Sequence, residues 1–226
     1  MILGIDTSLG TAVAVVEADG VVRSQVASAE TLRHAEVIGT LLQRALAEAS
    51  ALPSGVPDRD GPGVTHVAAG MGPGAFTGLR IGIAAARAFA LGRAIPVVPV
   101  VSHDAIALER LLFDAITGEP DAVTPRFAVV TDARRREFAY SVYDGLDDDG
   151  LPVRVAGPAL APRDEVDARI ADLGAIRHDA AGVSGSMLAL AAARAIAAGR
   201  DIGPHDPLYL RAPDVTPPAA RKRVGA

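Results

Sequence analysis

The sequence predicts an α/β protein of two lobes, in which the second lobe is a reduced copy of the first. Apolar runs of strand length alternate with longer segments of helical spacing along most of the 226 residues. A strand-like run ends in aspartate twice, at Asp6 and at Asp132. Each time the next strand-like run closes in Asp-Gly, at residues 19–20 and 144–145. This recurrence indicates two related structural units.

The first unit is predicted to alternate strands with helices. Strands are expected over residues 2–6, 12–17, 21–27, 66–70 and 95–101, and helices over 32–50, 76–91 and 102–113. The first three strands form an antiparallel meander, because Asp19-Gly20 is a hairpin turn signal. Pro96 and Pro99 cannot donate to a strand ladder, so the fifth strand is expected at a sheet edge. Ser102 is the expected cap of the third helix.

The second unit is shorter than the first. Strands are predicted over 127–131, 137–143 and 153–161, a short helix from Asp164, and a longer helix over 186–198. We therefore expect an N-terminal lobe (1–113), a linker (114–125), a smaller C-terminal lobe (126–212) and a disordered basic tail (213–226). This order of elements is typical of the actin-like fold of sugar kinases and Hsp70-type ATPases (the ASKHA fold), with a reduced second lobe.

Composition excludes several classes of protein. The chain has no cysteine, so disulfides, zinc–thiolate sites, iron–sulfur clusters and thiol catalysis are impossible. A net charge of −5 disfavours unaided RNA binding, because neutralisation of phosphates dominates that affinity. The opening residues read directly into a strand without the basic segment of a signal peptide. No apolar run reaches the ~18 residues of a membrane span, so we expect a cytoplasmic protein without a membrane partner.

The sharpest motif is the glycine-rich segment from Gly70 to Arg80, GMGPGAFTGLR, which links a strand to a helix. Glycines permit a tight turn, and the free N–H groups of a helix N-terminus attract anions. The candidate nucleotide- or anion-binding residues here are Gly72, Gly74, Thr77 and Arg80. The alternative is close packing, in which Gly78 and Gly82 let the helix approach its neighbours. The sequence leaves both interpretations open.

Other phosphate and metal motifs fit poorly. A dinucleotide-binding turn needs an acidic residue about 20 positions on, and Asp104 lies too far away. A Walker A loop needs a lysine, and the only lysine is Lys222. No two of the five histidines lie three to five residues apart, so no metal site is predicted.

Two aspartates and a threonine at strand ends are further candidates for binding phosphate. Asp6, Thr7 and Asp132 occupy positions where actin-like folds organise metal and phosphate. The alternative is an aspartate that hydrogen-bonds to its own turn. The residues thus also allow a rival class, an actin-like small-molecule kinase or ATPase.

The first helix carries an apolar strip that is wider than one buried seam requires. The strip includes His34, Ile38, Leu41 and Leu42. It is either core or, where exposed, a surface for a protein partner.

The chain resembles the bacterial TsaB (YeaZ) family, which older labels call glycoprotease-like, from Met1 to about Arg211. The matching segments are ILGIDTS, RHAE, GPGAFTGLRIG, IPVVPVVSHDAIA, TDARRREFAY and PLYLR. The glycine motif, combined with the IDTS opening and the lack of HxxxH, is highly specific for this family. Two departures occur: Ala75 stands where serine is common, which removes a hydroxyl from the turn, and Val101-Ser102-His103 replaces the more usual Ser-Ser-Leu.

The resemblance implies a non-catalytic subunit of the machinery that makes N6-threonylcarbamoyladenosine in tRNA, on the adenosine beside the anticodon. Such proteins pair with and activate the catalytic subunit TsaD, the ATPase TsaE joins them, and tRNA is bound indirectly through the complex. The pairing surface would be the helices at 32–50 and 76–91, which adds Leu79 and Ile83 to the partner residues. Isolated members form homodimers through the same surface. No tightly bound cofactor is implied; ATP or ADP would bind weakly or at the interface with TsaD.

Overall fold

The structure, a computed structural model, describes residues 1–51, 63–118 and 124–211 of the chain. It is an α/β protein with two sheets, as the sequence predicts. The segment after the first predicted helix, residues 52–62, lies outside the described residues, as do part of the predicted linker and the predicted basic tail. Within the described parts of the chain, no helix is long and apolar enough to span a membrane.

The first sheet has five strands. They are β1 (Ile2–Asp6), β2 (Thr11–Val16), β3 (Val22–Ser28), β4 (His66–Gly70) and β5 (Val97–Val100). Their order is β3-β2-β1-β4-β5; β1, β2 and β3 form the predicted antiparallel meander, and β4 runs parallel to both β1 and β5. Strand β5 lies at an edge, as its prolines predict. Every residue of β1 and β2 is buried, because helices cover both faces of the sheet.

The second sheet repeats part of the first. Its strands are β6 (Phe127–Asp132), β7 (Glu137–Leu146), β8 (Pro152–Pro162) and β9 (Ile176–Asp179). Their order, β8-β7-β6-β9, matches β3-β2-β1-β4 in both sequence and direction. The internal repeat is therefore confirmed. Strand β9 was not predicted from the sequence, because its four residues, Ile-Arg-His-Asp, have one apolar member.

The described residues contain five helices. They are α1 (His34–Ala51), α2 (Phe76–Arg93), α3 (Ser102–Thr117), α4 (Val166–Asp172) and α5 (Gly185–Ala198). Helices α1 and α2 pack on one face of the first sheet, and α5 packs on its other face. Helix α3 packs against α5 and against β6, β7 and β8 of the second sheet. Helix α4 packs on the second sheet.

Two predictions about α3 are wrong. The helix continues to Thr117 and so occupies the first four residues of the predicted linker, where an Arg110–Asp114 ion pair at i,i+4 spacing, 2.7 Å long, supports it. Ser102 is not the cap but the first helical residue. The cap position is Val101, which makes no side-chain capping bond.

The position of α5 also differs from the sequence-based division of the chain. The predicted boundaries assign residues 186–198 to the C-terminal lobe. In the structure α5 packs against β1 and β2, and its apolar side chains join a core cluster with α3, Phe127 and Tyr143. The chain therefore returns to the first lobe after completing the second sheet.

Candidate functional site

The turn after β1 is buried, and its side chains bond to the protein itself. Asp6 Oδ1 accepts hydrogen bonds from Ser8 N (2.8 Å) and Ser8 Oγ (2.6 Å), and Oδ2 accepts one from Ser102 Oγ at 2.5 Å. Burial raises the pKa of the Asp6 carboxyl, and the bonds from Ser102 and Ser8 offset part of that rise. Both carboxyl oxygens are thus occupied by partners from the chain.

The glycines of the GMGPGAFTGLR motif and its continuation let the end of β4 and helix α2 approach this turn closely. A Cβ atom at Gly70 would lie 1.9 Å from Asp6 Oδ2, and one at Gly82 would lie 2.1 Å from Thr7 Oγ1. Thr7 Oγ1 donates to the carbonyl oxygen of Gly78 at 2.8 Å. Of the two interpretations left open by the sequence, these contacts support packing.

The remaining anion candidates of the motif do not converge on one point. The Gly72 N–H donates to Ser102 Oγ at 3.1 Å, within the buried turn. The Arg80 guanidinium lies 3.9 Å from the Phe76 ring centroid, and its Nε donates to the Tyr209 hydroxyl at 3.0 Å. Thr77 is exposed on α2.

A cleft of about 690 Å³ lies between the two lobes. Ser8, His34 and Gly74 form part of its first-lobe wall, while Asp132 and Arg134 form part of the opposite wall. Of the residues predicted to bind nucleotide or anion, only Gly74 and Asp132 are among those that line it. Asp6, on the other side of the buried turn, is 1% exposed.

Asp132 is exposed and is held by its own turn. Its Oδ1 accepts hydrogen bonds from Arg134 N (2.8 Å) and Arg163 Nη2 (2.9 Å). The backbone bond from Arg134, followed by the Arg163 contact, holds the pKa of the carboxyl below its usual value. The next residues, Arg134 to Arg136, have φ values of 62°, 49° and 63°, a left-handed conformation that is costly for residues other than glycine.

Three consecutive polar residues at the start of α3 connect the lobes, and we call them the α3 bracket: Ser102, His103 and Asp104. Ser102 bonds to Asp6 as described. The His103 ring nitrogens lie 2.9 Å from Ser141 Oγ and 2.9 Å from Thr131 Oγ1, both in the second sheet. Sequence reasoning missed this role, although a Ser-His-Asp run directly after an apolar strand is the signal that would have pointed to it.

Asp104, the third residue of the bracket, has a raised pKa. Its Oδ1 accepts a hydrogen bond from the Tyr143 hydroxyl at 2.7 Å and lies 3.7 Å from Arg154 Nε. Burial raises the pKa of Asp104 to about 6, although Arg154 and Tyr143 oppose the rise. Burial lowers the pKa of His103 to about 3, so this ring stays neutral near pH 7.

The structure places most of the predicted partner residues beneath the surface. His34, Ile38, Leu79 and Ile83 are buried within the single chain, and the His34 ring lies 2.9 Å from Thr11 Oγ1. Leu41 and Leu42 are half-buried. These two leucines on α1 are the predicted partner side chains that reach the surface, and their contact with a partner stays a prediction.

Comparison with known proteins places the chain in a family. Residues 18–160 match the family model described as TsaD: tRNA N6-adenosine threonylcarbamoyltransferase. Uncharacterized protein Mb3455c of Mycobacterium bovis is 35% identical over 225 residues, which cover 96% of this chain and 94% of that protein. Uncharacterized protein ML0378 of Mycobacterium leprae is 42% identical over 102 residues, but this chain spans only 23% of its length.

A solved structure shows the same fold. YeaZ from Pseudomonas aeruginosa has a TM-score of 0.65 at 24% identity, covering 92% of this chain and 99% of that one. The fold and the family match together define a two-lobed, actin-like protein of the tRNA-modification class. The chain belongs to the family of tRNA N6-adenosine threonylcarbamoyltransferase, with the fold of YeaZ (TsaB), which confirms the resemblance drawn from the motifs.

Proposed function

We propose that this chain is a non-catalytic subunit of the cytoplasmic complex that makes N6-threonylcarbamoyladenosine in tRNA. In this proposal it pairs with and activates a TsaD-like protein and recruits a TsaE-like ATPase. Contact with tRNA is indirect, through the complex. The isolated chain forms a homodimer through the surface that the TsaD-like partner would cover.

The observation that carries the proposal is the closed turn around Asp6. A catalytic member of an actin-like family needs carboxylates that face the cleft between the lobes to organise metal and phosphate. Here both carboxyl oxygens of Asp6 accept hydrogen bonds from Ser8 and Ser102, and Gly70 at the end of β4 lies directly against the carboxyl group. The rival kinase or ATPase would need Asp6 and Asp132 to face each other across the cleft, and the geometry does not favour that arrangement.

The same geometry supports weak nucleotide binding at most. The phosphates of ATP or ADP would need the first turn of α2 and the Arg80 guanidinium, and Arg80 is engaged with Phe76 and Tyr209. This engagement of Arg80 argues against tight nucleotide binding by the chain alone. We propose that any ATP or ADP binds weakly or at the interface with the TsaD-like partner.

The partner surface is proposed to lie on α1 and α2. Leu41 and Leu42 reach the surface from the core cluster beneath α1, and Leu32, just before the helix, is 82% exposed. Apolar side chains that reach the surface in a group can form the apolar core of a protein interface, which a polar rim surrounds.

Co-elution with the TsaD-like protein of the same organism tests the proposal. The two chains should co-elute in size-exclusion chromatography, and Leu42→Glu should weaken the association on the order of a hundredfold, because it buries an unpaired charge in the contact. Gln43→Glu is the matched control, since Gln43 is the exposed neighbour of Leu42 on the same helix.

Light scattering should show that Leu42→Glu dissociates the homodimer of the isolated chain, whereas Gln43→Glu leaves it intact. Circular dichroism of both variants checks that the fold is intact. Absence of a complex between the unmodified chains, or equal association of Leu42→Glu and Gln43→Glu, would sink the proposal.

A further inference from the structure

Residues 204–211, which we call the strap, cross from one lobe to the other without forming a helix or strand. The strap first lies along α2 and the end of β4. Arg87 Nη2 donates to the carbonyl oxygen of His205 at 2.7 Å, and the Leu208 N–H donates to the carbonyl oxygen of Met71 at 2.8 Å. The strap is therefore attached to the first lobe at two successive points.

Tyr209 provides a third and larger attachment. Its ring lies 4.6 Å from the Phe76 ring, and its hydroxyl accepts the bond from Arg80 Nε. The Arg80 guanidinium thus contacts both aromatic rings at once. Such cation and aromatic contacts favour one defined position of the strap on α2.

Two residues later the strap reaches the second lobe. The Arg211 guanidinium forms an ion pair with the Glu137 carboxylate at the start of β7. Tyr209, Leu210 and Arg211 also line the cleft between the lobes. The strap therefore spans the cleft as well as forming part of its wall.

The α3 bracket and the strap are two connections between the lobes that differ in kind. Helix α5 adds a third, because Arg194 donates to the Gly150 carbonyl oxygen and Arg200, just after the helix, pairs with Asp147 and Asp149. The α3 bracket is buried and continues into an apolar core cluster that includes Phe127 and Tyr143. The strap has irregular backbone, and its connection to the second lobe is a partly exposed ion pair. Partly exposed contacts of this kind open at lower free energy than a packed core.

We propose that the strap is a latch that keeps the cleft narrowed, and that the lobes pivot about the α3 bracket when it is released. Loss of the Tyr209 stack and the Arg211–Glu137 pair raises the open population on the order of tenfold. Release of the latch is a property of the single chain and needs no partner.

Distance measurement between spin labels on the two lobes tests the latch in the full chain. Since the chain has no cysteine, Ala18→Cys between β2 and β3 and Ala168→Cys on α4 supply its only thiols, both at exposed positions away from the proposed partner surface. In the background of Tyr209→Ala with Arg211→Ala, the distance distribution should broaden toward longer values. Asp206→Ala, an exposed change in the same strap, is the matched control and should leave the distribution unchanged.

A milder variant keeps the proposal testable if the double change impairs folding. Glu137→Gln removes only the ion pair on the second lobe and should broaden the distribution to a smaller extent. If the strap contacts add only stability, their loss in these variants would lower the melting temperature and leave the distances between the labels unchanged. That result, in either variant, overturns the latch.

Discussion

Gly82→Ala tests the close approach of α2 to the turn after β1. An added Cβ would stand 2.1 Å from Thr7 Oγ1 and 2.9 Å from Thr7 Cγ2. Non-bonded heavy atoms settle at roughly 3.5–4.0 Å, so α2 and the turn must separate by more than an ångström. The turn cannot yield easily, because Thr7 is bonded to Gly78 and its neighbour Asp6 is bonded to Ser8 and Ser102.

The magnitude follows from two opposing effects. Replacing a helical glycine by alanine stabilises a helix by up to about 1 kcal/mol, while forcing extra atoms into a packed core costs about 1–3 kcal/mol or more. The overlap here is severe, so the upper end of that cost applies. We expect a net loss of about 2 kcal/mol, which corresponds to a fall in melting temperature of roughly 4–8 °C for a chain of this length.

Urea unfolding followed by circular dichroism measures the loss, and the same helix supplies the control. A Cβ at Gly92 would meet nothing within 4 Å, so Gly92→Ala should be neutral or stabilising by up to about 1 kcal/mol. Thr7→Ala should recover part of the stability of Gly82→Ala, because it removes the atoms that clash. If Gly82→Ala is as stable as Gly92→Ala, the packing interpretation of the motif is refuted.

Two further predictions concern ionisation and nucleotide. Because its pKa in the folded chain is raised to about 6, Asp104 stabilises the fold when protonated and loses that contribution as pH rises through 6. Between pH 4 and pH 7, the free energy of unfolding of the unmodified chain should therefore fall by on the order of 2 kcal/mol relative to that of Asp104→Asn, as measured by urea unfolding. If the two free energies change with pH in parallel, the raised pKa is contradicted. Isothermal titration with Mg-ATP should show no binding at micromolar concentrations; micromolar affinity that is lost in Asp6→Ala would instead favour the kinase or ATPase.

The sequence predicts the first sheet well because its signals are local. Alternating apolar runs, the Asp19-Gly20 turn and the prolines of β5 each act within a few residues, and all three give the correct arrangement. The internal repeat is found for the same reason, since Asp6 and Asp132 end equivalent strands. Strand β9 is missed because it is short and polar, and its pairing with β6 is set by tertiary contacts.

The candidate site is harder to predict from the sequence, because distant segments of the chain determine which of its side chains are buried and which groups they bond to. In the sequence, Asp6 is a candidate for binding phosphate or metal. The structure shows that Ser102, 96 residues away, donates a hydrogen bond to its second carboxyl oxygen. Likewise the sequence presents Arg80 as a candidate anion ligand, whereas in the structure it donates a hydrogen bond to Tyr209, which is 129 residues away. Helical spacing identifies the apolar face of α1, yet it does not separate buried Ile38 from half-buried Leu42.

The position of α5 has a consequence for synthesis of the chain. Translation proceeds from the N-terminus, so β1, β2 and β4 emerge long before the 14 residues that cover one of their faces. One apolar face of the first sheet therefore stays exposed until the whole second sheet has been synthesised and α5 can cover it. Such long-range closure makes folding slow and leaves the growing chain open to aggregation and dependent on chaperones. The two lobes, although related by an internal repeat, are in this sense a single folding unit.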